Sequence, residues 1–395
     1  MAHFRLEGQN PNKLLMKRLI KFDIVHPRKY LKQKQAAEPG IHGMNLEEYR
    51  QWLLDLYSNY GDFYTYYLNQ SGEWEAEEYF FLDEVFTRKV AERLFGKPRA
   101  RALEMAYQLH RRITKRRRAW RSFVADAYIR SRRPDVIFAR SQPQPSSFWQ
   151  PYRKDALLVA RLSARLPYNW HPNDFDLIYT DQPHFKHIFE VHGVDSVLND
   201  QGFDPRINER LEKGRPSPGV VFVGGMGTEN FAARTEFFER LAGRTKFTWW
   251  GYWWEHGGDG RTLADFPNLQ ASFRGVTSGL EMYQTYHDAD ICLNDYVDIA
   301  GTVGFNQRMF EVMGVGGFML TRMAPNLAAN FPEGIFATYS DDEDCLRKID
   351  YYLAHPEERA AIAARGKEFT LRNYSYERIS AEFSADLLTR LSARG

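Results

Sequence analysis

Two stretches of this sequence place glycine, arginine and carboxylate where a phosphorylated ligand could be held. The first is Phe222-Val223-Gly224-Gly225-Met226-Gly227-Thr228. A short apolar run ends in paired glycines, and a helical pattern follows. Glycines at the carboxyl end of a strand let backbone N–H groups approach a pyrophosphate with no Cβ in the way. An ordinary tight turn between strand and helix would read the same. Arg234 follows nine residues after Gly225, in the first turns of the next helix. There its planar guanidinium could grip a diphosphate through two parallel hydrogen bonds, although the same position also suits a plain surface arginine. The six-residue glycine fingerprint of dinucleotide sites is absent, and no acidic residue follows the second strand. Both absences disfavour NAD.

The second stretch runs from Gly304 to Gly317 as Gly-Phe-Asn-Gln-Arg-Met-Phe-Glu-Val-Met-Gly-Val-Gly-Gly. It reads as a loop, a helix, and a glycine turn into the strand Phe318-Met319-Leu320. A helix N-terminus presents unpaired N–H groups and the positive end of the dipole, a natural seat for phosphate. Glu311 lies about one turn in. A carboxylate there can accept two hydroxyl hydrogen bonds from a ribose, and without a partner its burial would be costly. The structural alternative is a salt bridge from Glu311 to Arg308 or Arg322.

These residues need strands and helices to hold them. Short apolar runs bounded by turn residues suit buried parallel strands. Four occur in the first half: 135–139, 156–162, 176–180 and 196–198. Four more follow at 220–223, 247–250, 291–293 and 317–320, separated by helical stretches at 230–242, 279–288, 306–314 and 341–354. Alternation of this kind predicts doubly wound parallel sheets. Residues 212–219, with two prolines and two glycines, read as a linker and a hinge. The expected organisation is a basic N-terminal extension over 1–40, an N-terminal domain over 41–212, a C-terminal domain over 217–375, and a final helix over 376–395 that returns to the N-terminal domain. Helices are also expected over 45–68 and 82–132, the latter broken near Gly96-Lys97-Pro98. Leu14 to Val25 has roughly helical apolar spacing, which suits a short amphipathic helix lying on its own protein or on anionic lipid.

At 395 residues, the chain is long enough for two cores. A net charge of +2 argues against a general polyanion binder, yet basic residues cluster. Lys13 to Lys34 holds eight against one acid, and Arg99 to Arg133 holds twelve against two. Such blocks can attract an anionic surface, so residues 13–34 and 111–121 are candidate contacts with an anionic membrane. No recognition module accompanies them, and nucleic acid is not expected. Cys292 and Cys345 are the only cysteines, too few and too far apart for a disulfide framework or a metal motif. They fit a reducing compartment. No apolar run approaches the ~20 residues of a membrane span. The expected location is cytoplasmic, with a peripheral association at the inner face of the membrane.

From Gly219 to about Arg378 the chain resembles the group 1 glycosyltransferases, in particular the branch with the spore-maturation CgeB-like proteins. Four pieces carry the resemblance in order: "FVGGM" leading to Arg234, "FRGVTSGLEMYQTYHDADICLN", "GFNQRMFEVMGVGGFMLT", and "DDEDCLRKIDYYLAHPEERAAIAARGKEFTLRNYSYERI". The N-terminal half is similar more loosely, through "NYGDFYTYYLNQSGEWEAEEYF" and "DLIYTDQPHF". The resemblance implies a GT-B fold, that is, two Rossmann-like doubly wound α/β domains facing a cleft. It also implies sugar transfer from a nucleotide-diphospho donor, of the hexosyltransferase type, with retention and with no metal or other cofactor.

Carried over residue by residue, Glu311 would hold the donor ribose and Arg234 would neutralise the departing diphosphate. Gly224 and Gly225 would admit the phosphates, and Asn306 and Arg308 would line the same loop. Arg274 and Gly275 precede the helix bearing Glu281 and Tyr283, near the nucleotide base. The chain also departs from the family. Val303 stands where relatives carry an earlier glutamate, and Phe237 and Phe238 stand where many have a lysine. Where relatives end an acceptor-side strand in histidine, the strand 157–162 offers Arg161 and Ser163. His184 is the nearest alternative for a role at the reacting carbon. The acceptor would be a glycan, a lipid-linked glycan or a protein. Two other readings remain open: a nucleotide-sugar epimerase on the same scaffold, using Asp181, His184 or Asp295 as acid and base, and a degenerate module that docks on an anionic surface.

Overall fold

The computed structural model describes residues 16–394 apart from 59, 115–118, 142–143, 163–169, 230, 255–258, 297–303 and 305. The chain divides into two compact units. Unit 1 comprises the described residues up to Val25, Gln35–Asp200 and the chain from Ile379 onward, and unit 2 comprises His26–Lys34 and Gln201–Arg378. The described part of the expected extension, residues 16–40, is divided between the two units, and the Pro/Gly stretch 212–219 lies inside unit 2.

Unit 1 is built on six strands: β1 (Lys17–Asp23), β2 (Trp74–Phe80), β3 (Val136–Ala139), β4 (Leu157–Arg161), β5 (Leu177–Thr180) and β6 (Ser196–Leu198). They form one parallel sheet in the order β2-β1-β3-β4-β5-β6. Helix α1 (Arg28–Ala37) belongs to unit 2 up to Lys34, and the helices of unit 1 include α2 (Leu46–Leu54), α3 (Thr65–Gln70), α4 (Glu84–Phe95), α5 (Lys97–Thr114), α6 (Ala119–Arg132) and α7 (Pro183–Val191). Local chemistry starts several of them. Asn45 and Glu48 form a reciprocal capping box at the head of α2, and Asp83 accepts from Phe86 N at the head of α4.

The segment expected as an amphipathic helix from Leu14 to Val25 is a strand where it is described. Leu19, Ile20 and Phe22 are all buried, as both faces of an inner parallel strand require. Even Lys21 is buried, because Glu78 of the neighbouring β2 takes its ammonium at 2.7 Å and Gly61 O accepts from it at 2.6 Å. Residues 17–23 therefore cannot lie on a lipid surface, and residues 13–15 fall outside the described residues.

Unit 2 holds β7 (Val220–Val223), β8 (Met226–Gly227), β9 (Thr248–Trp250), β10 (Trp253–Trp254), β11 (Ile291–Asn294), β12 (Met319–Arg322) and β13 (Ala337–Tyr339). Five of these form a parallel sheet in the order β13-β12-β11-β7-β9, and β8 pairs with β10 beside it. Its helices include α8 (Ala232–Ala242), α9 (Pro267–Ser272), α10 (Leu280–Asp288), α11 (Gln307–Val315), the short α12 (Leu327–Asn330), α13 (Asp342–Ala354) and α14 (Pro356–Asn373). The core gathers Phe222, Phe237, Phe238, Trp249, Leu293, Leu320 and Tyr339, all at most 1% exposed. Phe237 and Phe238 are thus core residues.

The final helix, α15 (Tyr376–Arg394), joins unit 1 from Ile379 onward. Phe383 packs among Tyr64, Phe138 and Tyr179 at ring separations of 5.0–5.1 Å. Ser384 accepts from Trp74 Nε1 at 2.7 Å. Among the described residues no helix is long and apolar enough to cross a membrane.

Candidate donor site in unit 2

In both sheets the first strand has the second on one side and the third on the other, so the winding direction reverses there. In an open parallel sheet, a crevice forms at the carboxyl ends of the strands flanking that reversal, and ligands bind in it. In unit 2 the reversal lies between β7 and β11. Gly224 and Gly225 follow β7, and Asn294 ends β11.

Both glycines lie against neighbouring side chains. A Cβ on Gly224 would lie 2.4 Å from Arg308 Nη2, and one on Gly225 would lie 2.9 Å from the Tyr252 ring. Trp249 Nε1 donates to Gly224 O at 2.9 Å, and Gly224 N donates to Trp250 O at 2.9 Å. The loop is thereby fixed to the end of β9. The same strand end holds Arg274 and Gly275. Arg274 N donates to Trp249 O, and Gly251 N donates to Gly275 O, each at 2.8 Å. The Arg274 guanidinium itself turns to Ala271 O and Phe273 O at 2.9 and 3.0 Å.

Arg234, in the first turn of α8, is buried at 4% exposure. Its Nη2 donates to Gly225 O. Its guanidinium lies 4.6 Å from the Phe231 ring centroid and 5.5 Å from that of Phe222. Two aromatic faces exclude water around the cation, so its field on a nearby anion is screened less than at the surface.

Across the crevice, Asn306 and Arg308 open α11. Arg308 Nε donates to Val223 O at 2.7 Å and Nη1 to Asn294 Oδ1 at 2.6 Å, with the guanidinium 4.6 Å from the Phe222 centroid. Arg308 is thus a tie between β7 and β11. Asn306 Nδ2 donates to the same Asn294 oxygen at 3.0 Å. Asn306 does not cap α11 with its side chain, and its Oδ1 is a buried acceptor with no hydrogen-bond partner among the described residues. A ligand hydroxyl or N–H at the mouth of α11 would satisfy it. The far end of α11 closes on Gly316 at φ +84°, a left-handed position that favours glycine.

Glu311 sits one turn beyond Arg308 and is 4% exposed. Burial, and after it the Glu311 charge, pushes the phenols of Tyr283 and Tyr286 well above their ordinary range. Tyr283 is 1% exposed, and its ring meets Phe203 edge-on at 5.9 Å. It packs behind Glu311 and presents no open face for a base to stack on. Arg322, weighed as a partner of Glu311, forms a two-pronged pair with Asp295 at 2.9 Å on each side.

Within unit 2, then, Gly224, Gly225, Arg234, Asn306 and Arg308 meet around the ends of β7 and β11, Arg274 and Gly275 adjoin through β9, and Glu311 lies one turn further along α11, beside Tyr283 and Tyr286. Val303 lies outside the described residues. His184 belongs to unit 1, exposed in the first turn of α7 and packed on Phe185 at 4.4 Å. Arg161 is a buried tie in unit 1. Its Nη1 donates to Asn199 Oδ1 at 2.5 Å and Nη2 to Asn199 O at 3.0 Å. Ser163 lies outside the described residues. The sequence reading missed Asn294 as the acceptor that gathers Asn306 and Arg308. An asparagine closing an apolar strand was the available signal.

Unit 1 has a polar cluster at the corresponding reversal, between β1 and β3. Asp23 accepts from Arg140 Nη1 at 3.0 Å and from Ser141, and lies 3.2 Å from Lys21 Nζ. Burial pushes the neighbouring Glu78 carboxyl up to about 7, against the pull of Lys21. Among the described residues no group of His, Cys, Asp and Glu side chains is placed to hold a metal.

Residues 234–385 match the family described as glycosyl transferase-like. No curated protein sequence matches the chain. Among solved structures, sucrose-phosphate synthase from Thermosynechococcus elongatus matches with a TM-score of 0.53 at 11% identity, over 96% of this chain and 100% of that one. The N-terminal domain of trehalose-6-phosphate phosphatase from Candida albicans matches with a TM-score of 0.52 at 11% identity, over 98% of each chain. At such identities the likeness concerns the fold alone. The chain has the α/β fold of the GT-B glycosyltransferases, with two parallel sheets, and its residues 234–385 are glycosyl transferase-like in sequence.

Proposed function

We propose that the protein is a glycosyltransferase of the CgeB-like branch that moves a hexose from a nucleotide-diphospho donor to a glycan, a lipid-linked glycan or a protein. The observation that carries this reading is the meeting of paired glycines, a buried arginine and the N-terminus of α11 at the winding reversal of unit 2. Gly224 and Gly225 admit the diphosphate to backbone distance. Arg234 and the first amides of α11 take the charge that develops as the nucleoside diphosphate leaves. Glu311 accepts the ribose hydroxyls, and Asn306 Oδ1 accepts from the donor at the mouth of the helix. Holding donor and acceptor in reacting geometry supplies the rest of the rate. Retention and metal independence follow from the family resemblance, as does a role for His184 beside the reacting carbon. An epimerase is less well supported, because Asp295 is held in a two-pronged pair with Arg322 and would serve poorly as a mobile base.

The test is thermal stabilisation by a panel of nucleoside diphosphates and nucleotide sugars. A ligand at a hundredfold excess over its dissociation constant adds ~2.7 kcal/mol to stability. The reading expects one base to stabilise the wild type, and Arg234→Ala and Glu311→Ala to lose the effect. A panel without effect would overturn it.

A further inference from the structure

We propose that α5 is a docking surface for an anionic lipid bilayer, formed by an apolar stripe set between arginines. This rests on unit 1 alone and does not depend on the donor site. The inner edge of α5 is accounted for. Tyr107 packs on Trp120 and Phe123 at 5.6 and 5.1 Å, Ala100 is buried, and Glu104 pairs with Arg88 at 3.1 Å. The opposite side carries a second apolar stripe that faces solvent. Met105 is 67% exposed and Leu109 61%, four residues apart and so on one face. Exposed Ala102 and Ala106 flank them, and exposed Arg101 and Arg112 close the two ends. Gln108, also exposed, lies between the stripe and the inner edge.

Charge selects the occupant. From Arg99 to Arg133 there are twelve basic residues and two acids. Glu104 is paired with Arg88 and Asp126 with Arg130, and Arg121 and Arg132 are taken up by Glu84, Glu75 and Glu77, which leaves Lys97, Arg99, Arg101 and Arg112 as the exposed cations of α5 among the described residues. The surface that remains attracts anions. A methionine and a leucine at its centre gain nothing from a phosphate backbone or an acidic peptide, but they gain from entering the acyl boundary beneath anionic headgroups. The interaction mapped from sequence to 111–121 thus shifts toward the N-terminus of the helix. Arg121 is engaged with Glu84 at 2.7 Å, and residues 115–118 lie outside the described residues.

The test uses the full chain in a flotation assay with phosphatidylcholine vesicles, with and without about one third phosphatidylglycerol. The expected result is partition into the anionic vesicles only, largely lost when salt rises from ~0.1 to ~1 M and the Debye length falls from ~10 to ~3 Å. Arg101→Gln with Arg112→Gln should weaken partition roughly 25-fold, about fivefold for each charge removed. Met105→Ser with Leu109→Ser should weaken it about tenfold or more while leaving the melting midpoint unchanged, since both positions are exposed. Three results would overturn the proposal. These are no partition into anionic vesicles, undiminished partition of the Met105/Leu109 variant, or binding of a short RNA in place of vesicles.

Discussion

The guanidinium of Arg308 donates to Asn294 Oδ1 at 2.6 Å while its Nε holds Val223 O at 2.7 Å. One side chain thus fixes the separation of the two strand ends that flank the winding reversal. Arg308→Ala strips a donor from both acceptors and should cost about 2–4 kcal/mol. Arg308→Lys, with a single charged nitrogen, should recover only part of it. Urea denaturation, read as the shift of the midpoint at constant slope, checks both.

Glu311→Gln should separate binding from folding. It keeps the volume, so stability should change by less than about 1 kcal/mol. If Glu311 holds a ribose through charged hydrogen bonds, affinity for the nucleoside diphosphate should fall about 10- to 100-fold. Calorimetric titration measures this, and an unchanged affinity would remove Glu311 from the site.

Two glycines should fail in different ways. A Cβ at Gly314 would lie 2.2–2.5 Å from the Phe203 ring. That ring is buried, so Gly314→Ala should destabilise by about 1–3 kcal/mol. At Gly225 the obstacle is Tyr252, 42% exposed and able to swing aside. Gly225→Ala should leave the melting midpoint nearly intact and lower nucleotide affinity. Melting curves with and without the stabilising nucleotide distinguish the two.

Two buried groups should tilt stability with pH in opposite directions. The Glu78 carboxyl is raised by burial from 4.5 to about 7. The folded state therefore holds its proton more tightly than the unfolded state, and this contribution is present below pH ~4.5 and lost as pH rises through 7. His26 is lowered from 6.5 to about 3, chiefly by burial and then by Lys34. Its contribution is present above pH ~6.5 and lost as pH falls toward 3. Glu78→Gln should flatten the decline between pH 4.5 and 7, and His26→Gln the decline below 6.5. Denaturant midpoints across pH 4–8 would show either slope surviving its substitution.

Phe383→Ala should cost about 3–5 kcal/mol, because the ring fills the space between Tyr64, Phe138 and Tyr179. Near-ultraviolet circular dichroism through a urea titration reads the loss.

Four unit 2 strands, β7, β9, β11 and β12, were legible because each is a short apolar run ending in glycine or a polar residue, and helices with clear period separate them, whereas the two-residue β8 and β10 and the edge strand β13 (Ala-Thr-Tyr) are too short to show an apolar run. The strand at 17–23 was not, because Lys17, Arg18 and Lys21 break its apolar pattern. What makes Lys21 tolerable inside is Glu78, fifty-seven residues later. β2 hid for a related reason, since Glu75, Glu77 and Glu78 give it the composition of a surface. In the candidate site, the glycine loop and the helix start were readable locally. The ties were not, because Asn294 to Arg308 and Asp295 to Arg322 span fourteen and twenty-seven residues, and no local pattern announces them.

The placement of α15 has a consequence for synthesis. Unit 1 contains the first described strand and also the helical residues from Ile379 onward, so its core stays open until all of residues 201–378 have been translated. At ~5–20 residues per second that is a wait of roughly 10–35 s. Unit 2, whose strands emerge in one uninterrupted run, can close first. Phe138 and Tyr179 meanwhile remain uncovered on the nascent chain, and that interval is where a chaperone would engage it.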